Sequence, residues 1–278
     1  ALPRGAGRAH ECAELDVGDC TGNEAAICAA YAELFAGLER LGPGSRASTL
    51  AALACVGEAL PRAPAVADMG CGHGAATTVL AAALPQARFM AVDLDERFVD
   101  AVRSAARSAG CGQRVTAIAG DMSAPRSLGL APASFDLIWA EASAYAIGVE
   151  RALAGWKPLL RPNGRLVFSE LIWTLPVAAR PAQCAAFWRR EYPAMGTGED
   201  VANACARAGF EVLQRRRQPP SDWRAYYAPL RERVARMREH AEAGSVAASV
   251  LAAMDEEIAL FDEDGATSYA YEMFVTRT

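Results

Sequence analysis

The sequence has few of the features that mark metal centres, disulfide scaffolds or membrane spans. Its 278 residues include only three histidines, His10, His73 and His240, which lie far apart and so argue against a histidine metal cluster. The eight cysteines form no Cys-x-x-Cys pair, and in so long a chain we interpret them as free thiols of a reducing compartment. There is neither an apolar run long enough to span a membrane nor a hydrophobic signal-peptide segment. We therefore expect a cytoplasmic protein with no membrane partner.

The chain also lacks an excess of positive charge. Its net charge is −5 and its pI is about 5.4, which argues against nucleic acid as a partner, because phosphate backbones favour basic surfaces. The basic run at 215–217 is interpreted as a solvated strand edge. Hydrophobic residues make up 52% of the chain, enough for a large core. A small molecule is the expected partner.

A glycine-rich turn is the most informative stretch that is present. Apolar residues lead into Gly70, Gly72 and Gly74, and an alanine-rich segment predicted to be helical follows at 75–84. A strand, a glycine turn and a helix in this order bring a nucleotide-like ligand against backbone N–H groups. Side chains at Gly70 and Gly72 would block that approach, and the turn is expected to need positive φ angles.

The details of the turn disfavour a dinucleotide. The third glycine comes one residue earlier than in the Gly-x-Gly-x-x-Gly fingerprint, and Asp68 lies two residues before the first. A carboxylate at this position would repel a pyrophosphate, whereas it suits a ligand with an ammonium group, such as the methionyl end of S-adenosylmethionine. An ordinary strand-to-helix turn without a ligand remains the alternative at this point.

Short apolar segments alternate with helical ones through most of the chain. The predicted strands are residues 65–69, 88–93, 115–119, 135–140, 164–170, 210–214 and 269–275. The predicted helices between them are residues 75–84, 96–109, 148–160 and 198–208. This alternation predicts an α/β fold with a doubly wound, mostly parallel seven-stranded sheet, whose last strand pairs antiparallel beside the sixth.

Three further segments surround this pattern. Residues 1–45 are predicted to form a loose tail and a lid helix at about 24–40, and a second helix is expected at 48–60. Residues 46–278 are predicted to form the main domain. Insertions at about 171–197 and 219–263, rich in tryptophan and tyrosine, are expected to be helical lids over an organic ligand. A hydrophobic cap without ligand contact remains the alternative for them.

The order of motifs resembles that of the class I S-adenosylmethionine-dependent methyltransferases over about residues 46–278. Four stretches carry the resemblance: residues 68–74, 91–93, 120–122 and 159–166. Residues 138–148, together with 42–45, resemble a bacterial subgroup of small-molecule methyltransferases. The resemblance implies a Rossmann-like methyltransferase fold with S-adenosyl-L-methionine as cofactor.

The resemblance also implies which residues hold the cofactor. The predicted set is Asp68, Gly70, Gly72, Gly74, Asp93, Leu94, Gly120, Asp121, Met122 and Glu141. In it Asp93, at a strand end, accepts from both ribose hydroxyls, and Asp121 accepts from the adenine amine while Met122 packs on the ring. Met122 as a plain core residue remains the alternative.

Methyl transfer from a sulfonium mainly requires alignment and exclusion of water, with a base for some acceptors. Glu141, after the fourth strand, is the first candidate base, and Glu170, at the end of the fifth, is the second. His73 and Tyr145 are further catalytic candidates. No Asp-Asn pair follows the fifth strand, as it does in metal-dependent catechol methyltransferases, so no metal is expected.

Other functions remain open from the sequence. A nicotinamide-dependent oxidoreductase on a similar sheet is one alternative, although Gly74, Asp68 and Asp121 speak against it. A module that binds S-adenosylmethionine without catalysis is the other, because the acids report binding only. The N-terminal helix at about 24–40 is interpreted either as a second part of the lid or as the surface of a homodimer.

Overall fold

A computed structural model of the protein describes residues 22–56 and 59–278. The predicted N-terminal tail lies outside the described residues, apart from Gly22. The helices are α1 (Gly22–Phe35), α2 (Arg46–Val56), α3 (Ala75–Ala83), α4 (Glu96–Ser108), α5 (Val149–Trp156), α6 (Ala182–Glu191), α7 (Gly198–Arg207), α8 (Pro220–Arg238), α9 (Val246–Leu260) and the short α10 (Ala266–Ser268). The strands are β1 (Ala65–Met69), β2 (Arg88–Asp93), β3 (Val115–Ala119), β4 (Phe135–Ala140), β5 (Leu160–Trp173), β6 (Glu211–Arg217) and β7 (Tyr269–Arg277).

The seven strands form one sheet in the order β3-β2-β1-β4-β5-β7-β6. The pairs β1–β2, β2–β3, β1–β4 and β4–β5 are parallel, and β6–β7 is antiparallel. The predicted doubly wound, mostly parallel sheet with an antiparallel final strand is therefore confirmed.

The strand order places a crevice at the carboxyl ends of β1 and β4. The chain runs outward from β1 through β2 to β3 on one side, then crosses to β4 and β5 on the other. Ligands of open α/β sheets bind at such a reversal, outside the carboxyl ends of the strands. The glycine turn follows β1 at this point, and Glu141 follows β4.

The first four strands have the predicted bounds, but β5 and β6 do not. β5 begins at Leu160 rather than residue 164, and its pairing with β4 shifts register between Phe135 and Leu137. Asn163, at φ 62°, lies in this irregular stretch. β6 extends to Arg217, so the basic run lies inside an exposed edge strand, where Arg215 forms an ion pair with Glu272 of β7 (3.0 Å).

Two helices end earlier than predicted for a local backbone reason. α1 ends at Phe35 rather than about residue 40, because Gly37 adopts φ 67° and terminates it. α5 ends at Trp156, since Pro158 has no N–H to continue the ladder. α8 begins at Pro220, near the start of the second insertion, and proline is well suited to a first helical position.

The described chain divides into two compact units. The sheet unit comprises Gly44–Leu171, Thr197–Gln218 and Tyr271–Thr278. The helical unit comprises the described residues up to Pro43, with Ile172–Gly196 and Pro219–Ala270. The domain bounds and the lid role predicted for the N-terminal helix and the two insertions stay predictions. None of the helices within the described residues is long and apolar enough to cross a membrane.

Each unit has its own buried residues. In the sheet unit, Leu80 of α3 and Val66, Leu137 and Trp139 of the strands are fully buried in one apolar cluster. The helical unit is built around aromatic side chains, in which Trp223 stacks on Phe261 with ring centroids 5.2 Å apart. Large aromatic residues supply most of the apolar burial in such a core.

Candidate functional site

The glycine turn has the backbone conformation that its residues require. Gly70, Gly72 and Gly74 have φ angles of 72°, 50° and 83°, which residues with a side chain rarely adopt. The N–H groups of Gly70 and Cys71 donate to the Val92 carbonyl at 2.8 and 3.0 Å. The turn is therefore tied to the end of the neighbouring strand β2.

Gly70 has a packing role that we did not predict. A Cβ atom at this position would lie 2.4 Å from the Ser143 Cβ and 3.3 Å from the Met122 Sδ. Ser143 is fully buried, and its hydroxyl donates to the Met69 carbonyl at 2.7 Å. We expected the missing side chain to leave room for a ligand, whereas in the structure it leaves room for Ser143.

The Asp68 side chain is buried beside α3, the helix that follows the glycine turn. It is 1% exposed, and the Thr77 hydroxyl of α3 donates to its Oδ2 at 2.5 Å. This hydrogen bond orients the carboxylate toward the first turn of α3. Charge-assisted bonds of this kind are stronger than those between neutral groups.

Asp93 binds the glycine turn directly. This residue, the last of β2, is 1% exposed, and its Oδ2 accepts the Gly72 N–H at 2.8 Å. Its Oδ1 accepts the N–H of Asp95 at 3.2 Å. Leu94 between them is half-buried, and Asp95 caps α4 by accepting the N–H of Arg97 at 2.8 Å. Asp93, which is predicted to bind the ribose, thus lies against the glycine turn at the carboxyl edge of the sheet.

The field at the turn is negative. The pKa of the buried Cys71 thiol is raised well above its ordinary value by burial, and further by the charges of Asp93 and Asp68. The thiol is therefore neutral and is not a nucleophile near neutral pH. The same two carboxylates would attract a positively charged ligand group at this position.

Asp121 and Met122 follow β3, in the loop predicted to hold a base. The N–H and the hydroxyl of Ser123 donate to the two Asp121 carboxylate oxygens at 2.7 and 2.6 Å. Met122 is buried, and its carbonyl accepts the Trp156 indole N–H at 2.9 Å. The N–H of Gly120 donates to the Asp93 carbonyl at 2.8 Å, which joins this loop to the end of β2.

Glu141 lies directly after β4 and is held by two donors. Its Oε1 accepts the Thr49 hydroxyl at 2.7 Å and the Trp139 indole N–H at 2.9 Å. Both donors are fully buried, and Glu141 itself is half-buried. The sequence predicted neither the hydroxyl nor the indole as a partner of this acid.

The structure places the other catalytic candidates on different elements. Glu170 lies inside β5 rather than at its end as predicted, because the strand continues to Trp173. It is 1% exposed, and its Oε1 accepts the N–H of Leu171 at 3.0 Å. Tyr145 is buried in a short turn after Ser143. The half-buried His73 ring meets Phe98 edge to face, with ring centroids 4.7 Å apart.

The predicted acids at the glycine turn are brought together, but their partners were missed. Hydroxyl residues supply three of them: Thr49 binds Glu141, Thr77 binds Asp68 and Ser123 binds Asp121. Ser123, two residues after Asp121, could have been found from its spacing, because an aspartate commonly binds the backbone N–H two residues on. Thr49 and the Ser143 side chain beside Gly70 come from distant segments that no local pattern connects.

The family comparison agrees with this geometry. Residues 66–164, which run from β1 through the glycine turn to the start of β5, match the family model described as a methyltransferase domain. Over these residues the chain is similar to a methyltransferase domain. Its turn, Asp93, Asp121, Met122 and Glu141 all lie within the matched residues.

Solved structures share the fold of this methyltransferase domain at low sequence identity. A SAM-dependent methyltransferase from Geobacter sulfurreducens, in complex with S-adenosyl-L-homocysteine, is 19% identical with a TM-score of 0.72, and the match covers 89% of this chain and 97% of that one. A SAM-dependent methyltransferase from Thiobacillus denitrificans, in the same complex, is 16% identical with a TM-score of 0.73, covering 88% and 96%. Geranyl diphosphate C-methyltransferase from Streptomyces coelicolor is 17% identical with a TM-score of 0.61, covering 89% and 80%.

The solved structures confirm the predicted methyltransferase fold, and the family model supports the predicted family over residues 66–164. No curated protein matches the chain. Within the described residues, no group of three or more His, Cys, Asp and Glu side chains is arranged to hold a metal ion. The roles of the individual site residues stay predictions.

Proposed function

We propose that the protein transfers a methyl group from S-adenosylmethionine to a small organic molecule. The observation that carries the proposal is the contact between the buried Asp93 carboxylate and the Gly72 N–H, at the carboxyl edge of the sheet. It joins an acid that can accept from hydroxyl groups to the glycine turn, at the edge of the sheet where ligands of such folds bind. The similar Geobacter and Thiobacillus proteins were crystallised with S-adenosyl-L-homocysteine, which supports the same ligand here.

The residues at the edge fit this cofactor chemically. Each Asp93 oxygen accepts one N–H in the structure, and a carboxylate oxygen has two lone pairs, so capacity remains for ribose hydroxyls. The Asp121 oxygens likewise retain acceptor capacity for an exocyclic amine beside their bonds to Ser123. Burial raises the Cys71 pKa, and the negative charges of Asp93 and Asp68 raise it further. The same charges suit a sulfonium or ammonium group and would repel a pyrophosphate.

Catalysis in this proposal consists mainly of orientation and proton removal. S-adenosylmethionine, when bound, supplies an activated methyl group. Glu141, fixed at the end of β4, is the proposed proton acceptor for an oxygen, nitrogen or carbon nucleophile. Glu170 is the second candidate, while His73 and Tyr145 are proposed to orient ligands. A cytoplasmic location and a homodimer remain part of the proposal.

Two titrations separate this function from a nicotinamide-dependent oxidoreductase. We expect S-adenosylhomocysteine to bind with one site per chain in isothermal titration calorimetry, and NAD not to bind. Binding of NAD without S-adenosylhomocysteine would reverse the assignment.

A product screen separates the enzyme from a module that binds the cofactor without catalysis. The protein is incubated with S-adenosylmethionine and a panel of phenols, amines, thiols and enolisable acids, and products are detected by mass spectrometry. We expect a methylated product that Glu141→Gln forms more slowly by about a hundredfold to ten-thousandfold, the usual range for loss of a base. Unchanged turnover in Glu141→Gln would remove this residue from the mechanism.

A further inference from the structure

The Glu141 carboxylate is held by a helix that the methyltransferase family match does not include. Thr49 belongs to the first turn of α2, whereas the matched residues begin at Val66. The bond between the Thr49 hydroxyl and Glu141 Oε1 spans 92 positions of the chain and is 2.7 Å long. It is thus a tertiary contact that orients an acid at the edge of the sheet.

The start of α2 fixes the position of the Thr49 hydroxyl. The Ser45 side chain accepts the Ser48 N–H at 3.1 Å, and the Ser45 carbonyl accepts the Thr49 N–H at 3.0 Å. The Thr49 hydroxyl also lies 3.1 Å from the Ser45 carbonyl. It has one proton, and the carboxylate, at the shorter distance, is the stronger acceptor.

A second hydrogen-bond donor restrains the same Glu141 oxygen. The Trp139 indole N–H reaches Glu141 Oε1 at 2.9 Å, and Trp139 is fully buried in the sheet core. Two donors converging on one oxygen leave the carboxylate little freedom to rotate. The first turn of a helix also carries a partial positive charge, which favours a carboxylate nearby.

We infer that Thr49 is a positioning residue for methyl transfer, which acts by holding Glu141 in the orientation that the acceptor requires. This inference rests on the proposed function, in which Glu141 takes a proton from the acceptor. A reacting group must be placed within a fraction of an ångström. Loss of one of the two hydrogen bonds that orient Glu141 therefore lowers turnover without weakening the binding of the cofactor.

The test compares Thr49→Val, which keeps the shape and removes the hydroxyl, with Thr49→Ser, which restores a hydroxyl. Thr276→Val is the matched control, because Thr276 is equally buried in the sheet unit and its hydroxyl binds the Leu166 carbonyl at 3.0 Å. Four quantities are measured: kcat and KM with an acceptor from the screen, the dissociation constant of S-adenosylhomocysteine, and the Trp139 indole N–H resonance of ¹⁵N-labelled protein.

We expect Thr49→Val to lower kcat by roughly tenfold, the effect of losing one hydrogen bond to a charged group, with the S-adenosylhomocysteine affinity within about twofold. The Trp139 indole resonance should move in Thr49→Val, because its acceptor shifts, and stay in place in Thr276→Val. Thr49→Ser should recover most of the rate. In the Glu141→Gln background, Thr49→Val should lower kcat much less than it does in the wild type, because the effects of coupled residues are not additive.

Two results would overturn the inference. One is a Thr49→Val protein with the wild-type indole resonance and kcat, and the other is an equal loss of rate with and without the Glu141 carboxylate. Failure of the proposed function is distinguishable, since the wild-type protein would then neither bind S-adenosylhomocysteine nor form product. The indole resonance would still decide whether Thr49 positions Glu141.

Discussion

At the scale of single residues, Asp93 is the acid on which cofactor binding is expected to depend most. Asp93→Asn keeps the shape but replaces one acceptor oxygen by a donor, beside the Gly72 N–H that now binds it. Loss of hydrogen bonds to a charged group should lower the affinity for S-adenosylhomocysteine by about tenfold to a hundredfold, measured by calorimetry. Asp100→Asn is the control, because Asp100 is an exposed acid of α4 that pairs with Arg103 at 2.9 Å. Wild-type affinity in Asp93→Asn would contradict the assignment.

Gly70 offers a prediction about stability. Gly70→Ala should lower the free energy of unfolding more than Gly110→Ala does, although the two glycines have nearly equal φ angles of 72° and 71°. A Cβ atom at Gly110 would meet no other atom within 4 Å, so substitution there measures the backbone cost alone, roughly 1 to 2 kcal/mol. At Gly70 the contact with the Ser143 Cβ adds about 1 to 3 kcal/mol of overpacking.

The free energy of unfolding from urea titration checks this difference, and Gly70→Ala with Ser143→Gly isolates its cause. The double variant should cost less than the sum of the single ones, because the clashing atom is gone. Equal costs for Gly70→Ala and Gly110→Ala would show that Ser143 does not restrict the turn.

At the scale of elements, the interior of the helical unit contains a pH-dependent acid. Burial raises the pKa of Glu257 of α9 to about 7 from 4.5, and the charge of Glu191 on α6 acts in the same direction. The Tyr227 hydroxyl of α8 donates to this carboxyl at 2.9 Å, which opposes the rise. Because the folded-state pKa exceeds the unfolded one, the stabilisation is complete below about pH 4.5 and is lost as pH rises through about 7.

Glu257→Gln removes this titration. The free energy of unfolding of the wild type should therefore fall relative to that of Glu257→Gln by up to roughly 3 kcal/mol between pH 4.5 and 8, measured in urea. Glu232→Gln, an exposed acid on α8, serves as the control. A difference between wild type and Glu257→Gln that does not change with pH would contradict the burial argument.

The sequence was sufficient for elements bounded by strong local signals. β1 to β4 were predicted with their observed bounds because each is a short apolar run between turn residues. β5 was predicted too short, since the exposed residues 161–163 resemble a loop although they continue the strand. β6 was also too short, because the ion pair from Arg215 to Glu272, which keeps a basic run in an edge strand, depends on a partner 57 positions away.

The candidate site shows the same division. The acids and glycines lie at or next to the carboxyl ends of strands, so Asp68, Asp93 and Glu141 could be proposed from position and from the resemblance of their motifs. The hydroxyls that orient them were not found, because Thr49 and Ser143 act across 92 and 74 positions of the chain. Tertiary contacts of this length leave no periodic signal in a single sequence.

At the scale of the whole molecule, every proposed site residue lies in the sheet unit. The range extends from Asp68 to Glu170, within the first segment of that unit, Gly44–Leu171. The net charge of −5 agrees with a site whose field is negative around Cys71 and whose ligand is cationic. The account therefore requires the sheet unit to supply all the residues that hold the cofactor.

The most direct test of this claim is a crystal structure of the protein with S-adenosylhomocysteine. We predict that the ribose hydroxyls lie within hydrogen-bonding distance of the Asp93 carboxylate, with the adenine beside Asp121 and Met122. A ligand bound elsewhere, or one that leaves Asp93 bonded only to Gly72 and Asp95, would contradict the account.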